Sequence, residues 1–258
     1  MKAVWLSALN VAEHEAQAML HKMKTYGLEA SGHQWQADNQ NMSWMGPKAE
    51  LCHSQCALWA IMGNREAFLG ADIRYGVSLL SLSVRAERRV PLPVVMLQTD
   101  GDPLTAADLP TPLQGAVVLP AADAGTPAKL VAKAHAKAPD LPAAYHVNMV
   151  GDPQLGQWFE VRPTRDAWPG IIFGVDSGEI RFQAVGPAGE LPKTSTLNYA
   201  MQGLKIQFNA KDFTAWAVRN EISTEAAYFV KVEGTPATLL FGPFSEDSAT
   251  EMYPIQLV

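Results

Sequence analysis

The sequence predicts an α/β domain followed by an all-β domain. The first is a three-layer α/β/α, flavodoxin-like parallel sheet over residues 1–139, and the second an antiparallel β-sandwich or barrel over 143–258. Three observations carry this. Residues 56–62 and 93–98 are short, continuous apolar runs, the mark of strands buried on both faces. A long apolar helical pattern lies between them, which makes a parallel βαβ unit. Beyond residue 142 the apolar period falls to that of strands, with no further helix pattern.

The elements follow in order. Residues 1–9 imitate a short signal peptide, but the apolar run is only about seven residues long and charges follow at once, so they read as the first strand. Asn10 is placed to cap the next helix, with Glu13 completing a capping box. Ala12, Ala16, Met19, Leu20, Met23 and Tyr26 form that helix's apolar stripe, and Gly27 stops it. A second strand occupies 28–35. Pro47 opens a short helix to about residue 54. The helix at 68–88 carries two apolar stripes: Leu69, Ile73, Val77, Leu80 and Val84, then Phe68, Tyr75, Leu79, Leu82 and Ala86. Two stripes require two covers, the second being the β domain or another protein. Residues 100–103 form a turn, 115–119 a fifth strand. Thr126 and Pro127 start a last helix, edged by Lys129, Lys133 and Lys137 and ending near Ala138. Residues 139–142 read as a linker. Strands are then expected at 145–150, 158–162, 171–175, 179–185, 204–208, 214–218, 228–232 and 238–241, with a hairpin turn at 176–178.

The N-terminal pattern resembles a TIR-type domain of the flavodoxin-like class. The features that carry it are the short helix leading into 56–62, the loop after it, Arg74 and Tyr75, and the Pro-containing run at 92–97. The resemblance covers residues 1–138. It implies either self-association or cleavage of NAD by a helix glutamate after the third strand. At that place this chain has Gly76, with Glu66 earlier in the loop, so the resemblance favours the scaffold role.

Composition narrows the partners. The chain has 258 residues and a net charge of −6, which argues against a nucleic-acid backbone or an anionic membrane. No stretch of about 20 apolar residues occurs. Two cysteines and no export signal point to the cytoplasm. Cys52 and Cys56 lack the second pair that a structural zinc site needs, so no metal is expected. The glycine-rich phosphate loops and the serine elbow of the hydrolases are missing.

Open α/β sheets bind ligands at the carboxyl ends of their strands. Asn10, Asn64, Arg65, Thr99, Asp102 and Asp123 should gather there as ligand-binding residues, with Glu66 and Asp100 as catalytic candidates. An Arg with Asn and carboxylates suits a ribose and a phosphate. Each residue also has an ordinary duty available, as a cap, a turn or a solvated pair. In the β domain, Trp158 and Trp168, near Arg162 and Arg165, are candidates for a sugar- or peptide-binding face. The reading that results is a non-enzymatic binding or scaffold protein. It self-associates or meets a protein partner through the helix at 68–88, or takes a nucleotide-like small molecule. No other cofactor is expected. The alternative is a hydrolase or glycosidase acting on NAD or a nucleotide-like substrate.

Overall fold

The computed structural model describes residues 1–88, 90–136, 143–245 and 251–258. The chain divides into two compact units, Met1–Asp140 and Leu141–Leu257. The expected linker at 139–142, the helix end near Ala138, Lys137 and Arg89 lie outside the described residues.

The N-terminal unit runs β1 (Lys2–Leu9), α1 (Glu13–Thr25), β2 (Leu28–Gln34), α2 (Lys48–Cys52), β3 (Cys56–Gly63), α3 (Arg65–Leu69), α4 (Ala71–Glu87), β4 (Val94–Gln98), β5 (Val117–Pro120) and α5 (Thr126–His135). Its five strands are all parallel, in the order β2-β1-β3-β4-β5. That is the flavodoxin-like order, which reverses direction between β1 and β3. Strand alternation divides the side chains between two faces. Val4, Leu6, Leu58, Ala60, Val95 and Leu97 pack with Met19, Leu20 and Met23 of α1 and Leu130 of α5. On the other face Ile61 and Met96 meet Phe68, Ile73 and Val77.

Two local expectations fail here. Asn10 does not cap α1. It takes a left-handed φ of 51°, which asparagine tolerates better than most residues, and Ala12 holds the cap position without a side-chain bond. The helix expected over 68–88 is two helices, because Gly70 takes an extended conformation between α3 and α4. Ile73, Val77, Leu80 and Val84 of one stripe of α4, and Tyr75, Leu79 and Leu82 of the other, are all buried. Within the unit α4 packs against α2, α3 and the 3₁₀ turns Ser43–Met45 and Thr111–Leu113. Those residues therefore offer no open stripe for a partner. Arg88 is spent as well. Its guanidinium donates to the carbonyls of Leu51, His53 and Cys56 at 2.7, 3.0 and 3.0 Å.

The C-terminal unit contains β6 (Tyr145–Val150), β7 (Trp158–Pro163), β8 (Ile171–Val175), β9 (Glu179–Pro187), β10 (Met201–Phe208), β11 (Lys211–Val218), β12 (Ala226–Glu233), β13 (Thr238–Pro243) and β14 (Tyr253–Gln256). They form two antiparallel sheets, β10-β11-β8-β13-β14 and β6-β7-β12-β9, so the fold is a sandwich and not a barrel. Phe159 and Tyr228 of one sheet pack on Phe173 of the other, with ring centroids 6.0 and 6.3 Å apart. The turn at 176–178 is not a hairpin. β8 and β9 belong to different sheets, and the turn carries the chain between them. Gly178, at φ 78°, is required there because a Cβ would stand 2.6 Å from the Glu233 carbonyl oxygen. One carboxylate is sealed in. Glu160, 1 % exposed, accepts the Gly189 N–H at 2.8 Å and lies 3.7 Å from Arg162.

Candidate functional site

The carboxyl ends of β1, β3, β4 and β5 bring the expected residues to one edge of the parallel sheet. Most of them are already engaged there. Asn64 caps α3, its Oδ1 accepting the Ala67 N–H at 2.8 Å. Arg65 opens that helix and turns its guanidinium onto the following loop. It donates to the carbonyls of Asp102 and Pro103 at 3.3 and 3.5 Å and pairs with Asp108 at 3.3 Å. The Arg65 amide also reaches the Asp100 carbonyl at 3.1 Å. Asp100 Oδ1 accepts the Gly101 N–H at 2.7 Å, closing the turn. Asp123 accepts the Gly125 N–H at 2.9 Å and pairs with Lys129 at 2.9 Å. Thr99 joins the ladder through its amide, which donates to the Gly63 carbonyl. Asn10, Glu66 and Asp102 are exposed.

Electrostatics follow the same pattern. The Asp108 carboxyl is held below its usual range by the Thr105 amide and hydroxyl, and then by Arg65. Asp123 is lowered by the Gly125 amide and then by Lys129. These carboxylates are stabilised by their own loops, an arrangement unlike a general acid poised near neutrality.

Sequence reasoning missed the residue that organises this edge. Gln98 closes β4, 7 % exposed. Its Nε2 donates to the carbonyls of Asp100, Gly101 and Asp102 at 3.0, 3.1 and 2.8 Å, and its Oε1 accepts the Leu104 N–H at 3.0 Å. A single glutamine at a strand end belongs to no motif, so nothing in the sequence marked it. Below the loop a cavity of about 10 Å³ lies between Leu9, Ile61, Phe68, Met96, Arg74 and Leu113. It has room for about one water and not for a nucleotide.

Tyr75 is fully buried, so Arg74 and Tyr75 form no surface patch. Gly76 lies under three side chains. A Cβ there would stand 3.0 Å from Asn39 Oδ1, 3.0 Å from Trp35 Cζ2 and 3.2 Å from Trp44 Cβ. Among the histidines, His33 Nε2 lies 3.0 Å from Ser7 Oγ, and the same oxygen accepts the Trp59 indole N–H at 3.0 Å. This serine–histidine contact is a core network, because Ser7 is fully buried mid-strand where no substrate reaches it.

Neither cysteine is primed for chemistry. Burial, followed by Glu87, pushes the Cys52 thiol up to about 11. Burial also raises Cys56. Among the described residues no group of three or more His, Cys, Asp or Glu gathers as a metal cage would require. Only the thiolate attacks, so iodoacetamide should label Cys52 roughly a hundredfold more slowly than a free thiol at pH 8. Mass spectrometry of timed samples checks this, and labelling at the free-thiol rate would contradict it.

In the sandwich the two expected tryptophans part company. Trp158 stacks on Phe182, with centroids 6.4 Å apart and planes at 22°. Trp168 stacks on Tyr253, at 6.1 Å and 17°. Register places Lys231 between Trp158 and Phe182 on one sheet face. Phe182 is 60 % exposed and nearby Leu155 is 51 % exposed.

Comparison with protein families and with curated proteins gives no match for this chain. Its activity therefore has to be argued from its own residues. Among the described residues no helix is long and apolar enough to cross a membrane.

Proposed function

We propose that this chain is a non-enzymatic binding protein that associates with a second copy of itself. The observation that carries this is an apolar patch on the antiparallel unit, made by exposed Phe182 stacked on half-buried Trp158, with exposed Leu155 nearby. Tryptophan and tyrosine are enriched among the few residues that dominate association energies, and aromatics in general are enriched at interfaces. An apolar patch finds a complement in its own copy, as two-fold dimers do. The α/β unit then serves as a scaffold. Support comes from the sheet edge, where Asn64, Arg65, Asp100 and Asp123 are occupied by their own loops. It comes also from Gly76, which leaves no space for the glutamate of an NAD-cleaving TIR domain. The likeness of residues 1–138 to such domains fits this reading as a scaffold.

Sedimentation velocity over rising protein concentration tests it. The expected result is a reversible dimer that Phe182→Ser returns to monomer. Incubation with NAD should release no nicotinamide. A strict monomer at every concentration would refute the proposal. So would NAD cleavage that Glu66→Gln abolishes, which would establish the rival hydrolase at the sheet edge.

A further inference from the structure

We propose that a cleft at one end of the antiparallel unit is a binding site for a neutral saccharide. The cleft has a volume of about 360 Å³. That lies at the small end of ligand sites and suits roughly one or two hexose rings. One wall is aromatic: half-buried Tyr253, backed by buried Trp168 stacked on it nearly parallel at 17°. The backbone holds this wall in place. Trp168 and Ile222 exchange both amide bonds, at 2.8 and 3.0 Å. Thr164 fixes the adjoining chain, its hydroxyl donating to the Ala143 carbonyl and its amide to that of Ala144. Tyr253 keeps its proton, because burial and then Glu251 push its phenol up to about 12.

The rim carries Arg165, Asp166 and Glu251. Arg165 and Asp166 are exposed, and among the described residues no hydrogen bond or ion pair engages either side chain. This is the reverse of the sheet edge in the other unit, where the charged groups serve the fold. An aromatic wall with free charged hydrogen-bonding groups around it fits a sugar ring. The ring lays its C–H face on Tyr253, at the edge of Trp168, and turns its hydroxyls to the rim. A guanidinium and a carboxylate each span two neighbouring hydroxyls. Two carboxylates against one guanidinium disfavour a phosphate or an acidic sugar.

The test uses the full chain and the indole N–H signals of its nitrogen-15 NMR spectrum. The Trp168 signal is assigned by its loss in Trp168→Phe. Cellobiose, maltose and N,N′-diacetylchitobiose are added separately to about 20 mM, enough to fill most of a site with a Kd of about 1 mM. At least one of them is expected to move the Trp168 signal saturably. Asp166→Ala and Arg165→Ala alter only exposed side chains, and each should weaken that response about tenfold. The proposal fails if none of the three sugars moves the signal. It fails equally if both variants respond as the parent does.

Discussion

Gly76→Glu is expected to unfold the α/β unit and not to create an NAD-cleaving site. The substitution restores the glutamate that a TIR-type pattern places here. The first added atom already meets Asn39, Trp35 and Trp44 at 3.0–3.2 Å. Trp44 and Trp35 are themselves buried, so neither ring has free space to retreat into. Glutamate then adds further atoms and a charge to the same packed layer. Overpacking costs about 1–3 kcal/mol, and an unpaired buried carboxylate adds several more. A loss of more than about 4 kcal/mol follows. Gly76→Ala is the control. It gains about 1 kcal/mol of helix propensity and loses a similar amount to the close approach. Urea titration of the three proteins separates these cases. A Glu variant with native stability would show that α4 tolerates the residue and would reopen the catalytic reading.

Gln98→Leu should cost about 2–3 kcal/mol and loosen residues 99–108. Leucine nearly preserves the volume but removes both ends of the carboxamide. The buried Leu104 amide loses its acceptor, and the carbonyls of Asp100, Gly101 and Asp102 lose their common donor. Arg65 grips the same loop through Asp102, Pro103 and Asp108, so it holds the edge alone in the variant. Gln98→Glu sharpens the test. The carboxylate still accepts from Leu104 but faces three carbonyl oxygens, so it should be at least as destabilising. Urea midpoints and the rate of protease cutting within the loop measure both. Unchanged cutting would mean that Arg65 suffices without Gln98.

The sequence revealed the architecture because burial leaves a periodic trace. The apolar runs at 56–62 and 93–98 became β3 and β4, paired in parallel. The period-two stretches became the strands of the sandwich. Features fixed by single residues left no such trace. Gly70 divides a continuous apolar pattern by its backbone angle alone. β14 contains Pro254 and only four residues, so it falls below any pattern threshold. Glu160 occupies a position where alternation predicts a solvated side chain, and only the folded sheet shows it enclosed. The site was harder to read for a different reason. An asparagine or aspartate before a turn looks the same whether it caps a helix or awaits a ligand. Asn64, Asp100 and Asp123 cap or close turns. Arg165, which is free of such duties, was visible only as a charge near a tryptophan, and Asp166 beside it carried no signal at all.

The Arg88 contacts have a consequence for how the molecule opens. One guanidinium at the end of α4 holds three carbonyls that border α2 and the start of β3. Short α2 has only Leu51 buried, too little apolar surface to persist by itself. Its order is therefore borrowed from the longer helix. The two segments form one cooperative unit of local unfolding, and α2 closes and opens with the far end of α4 instead of fraying independently.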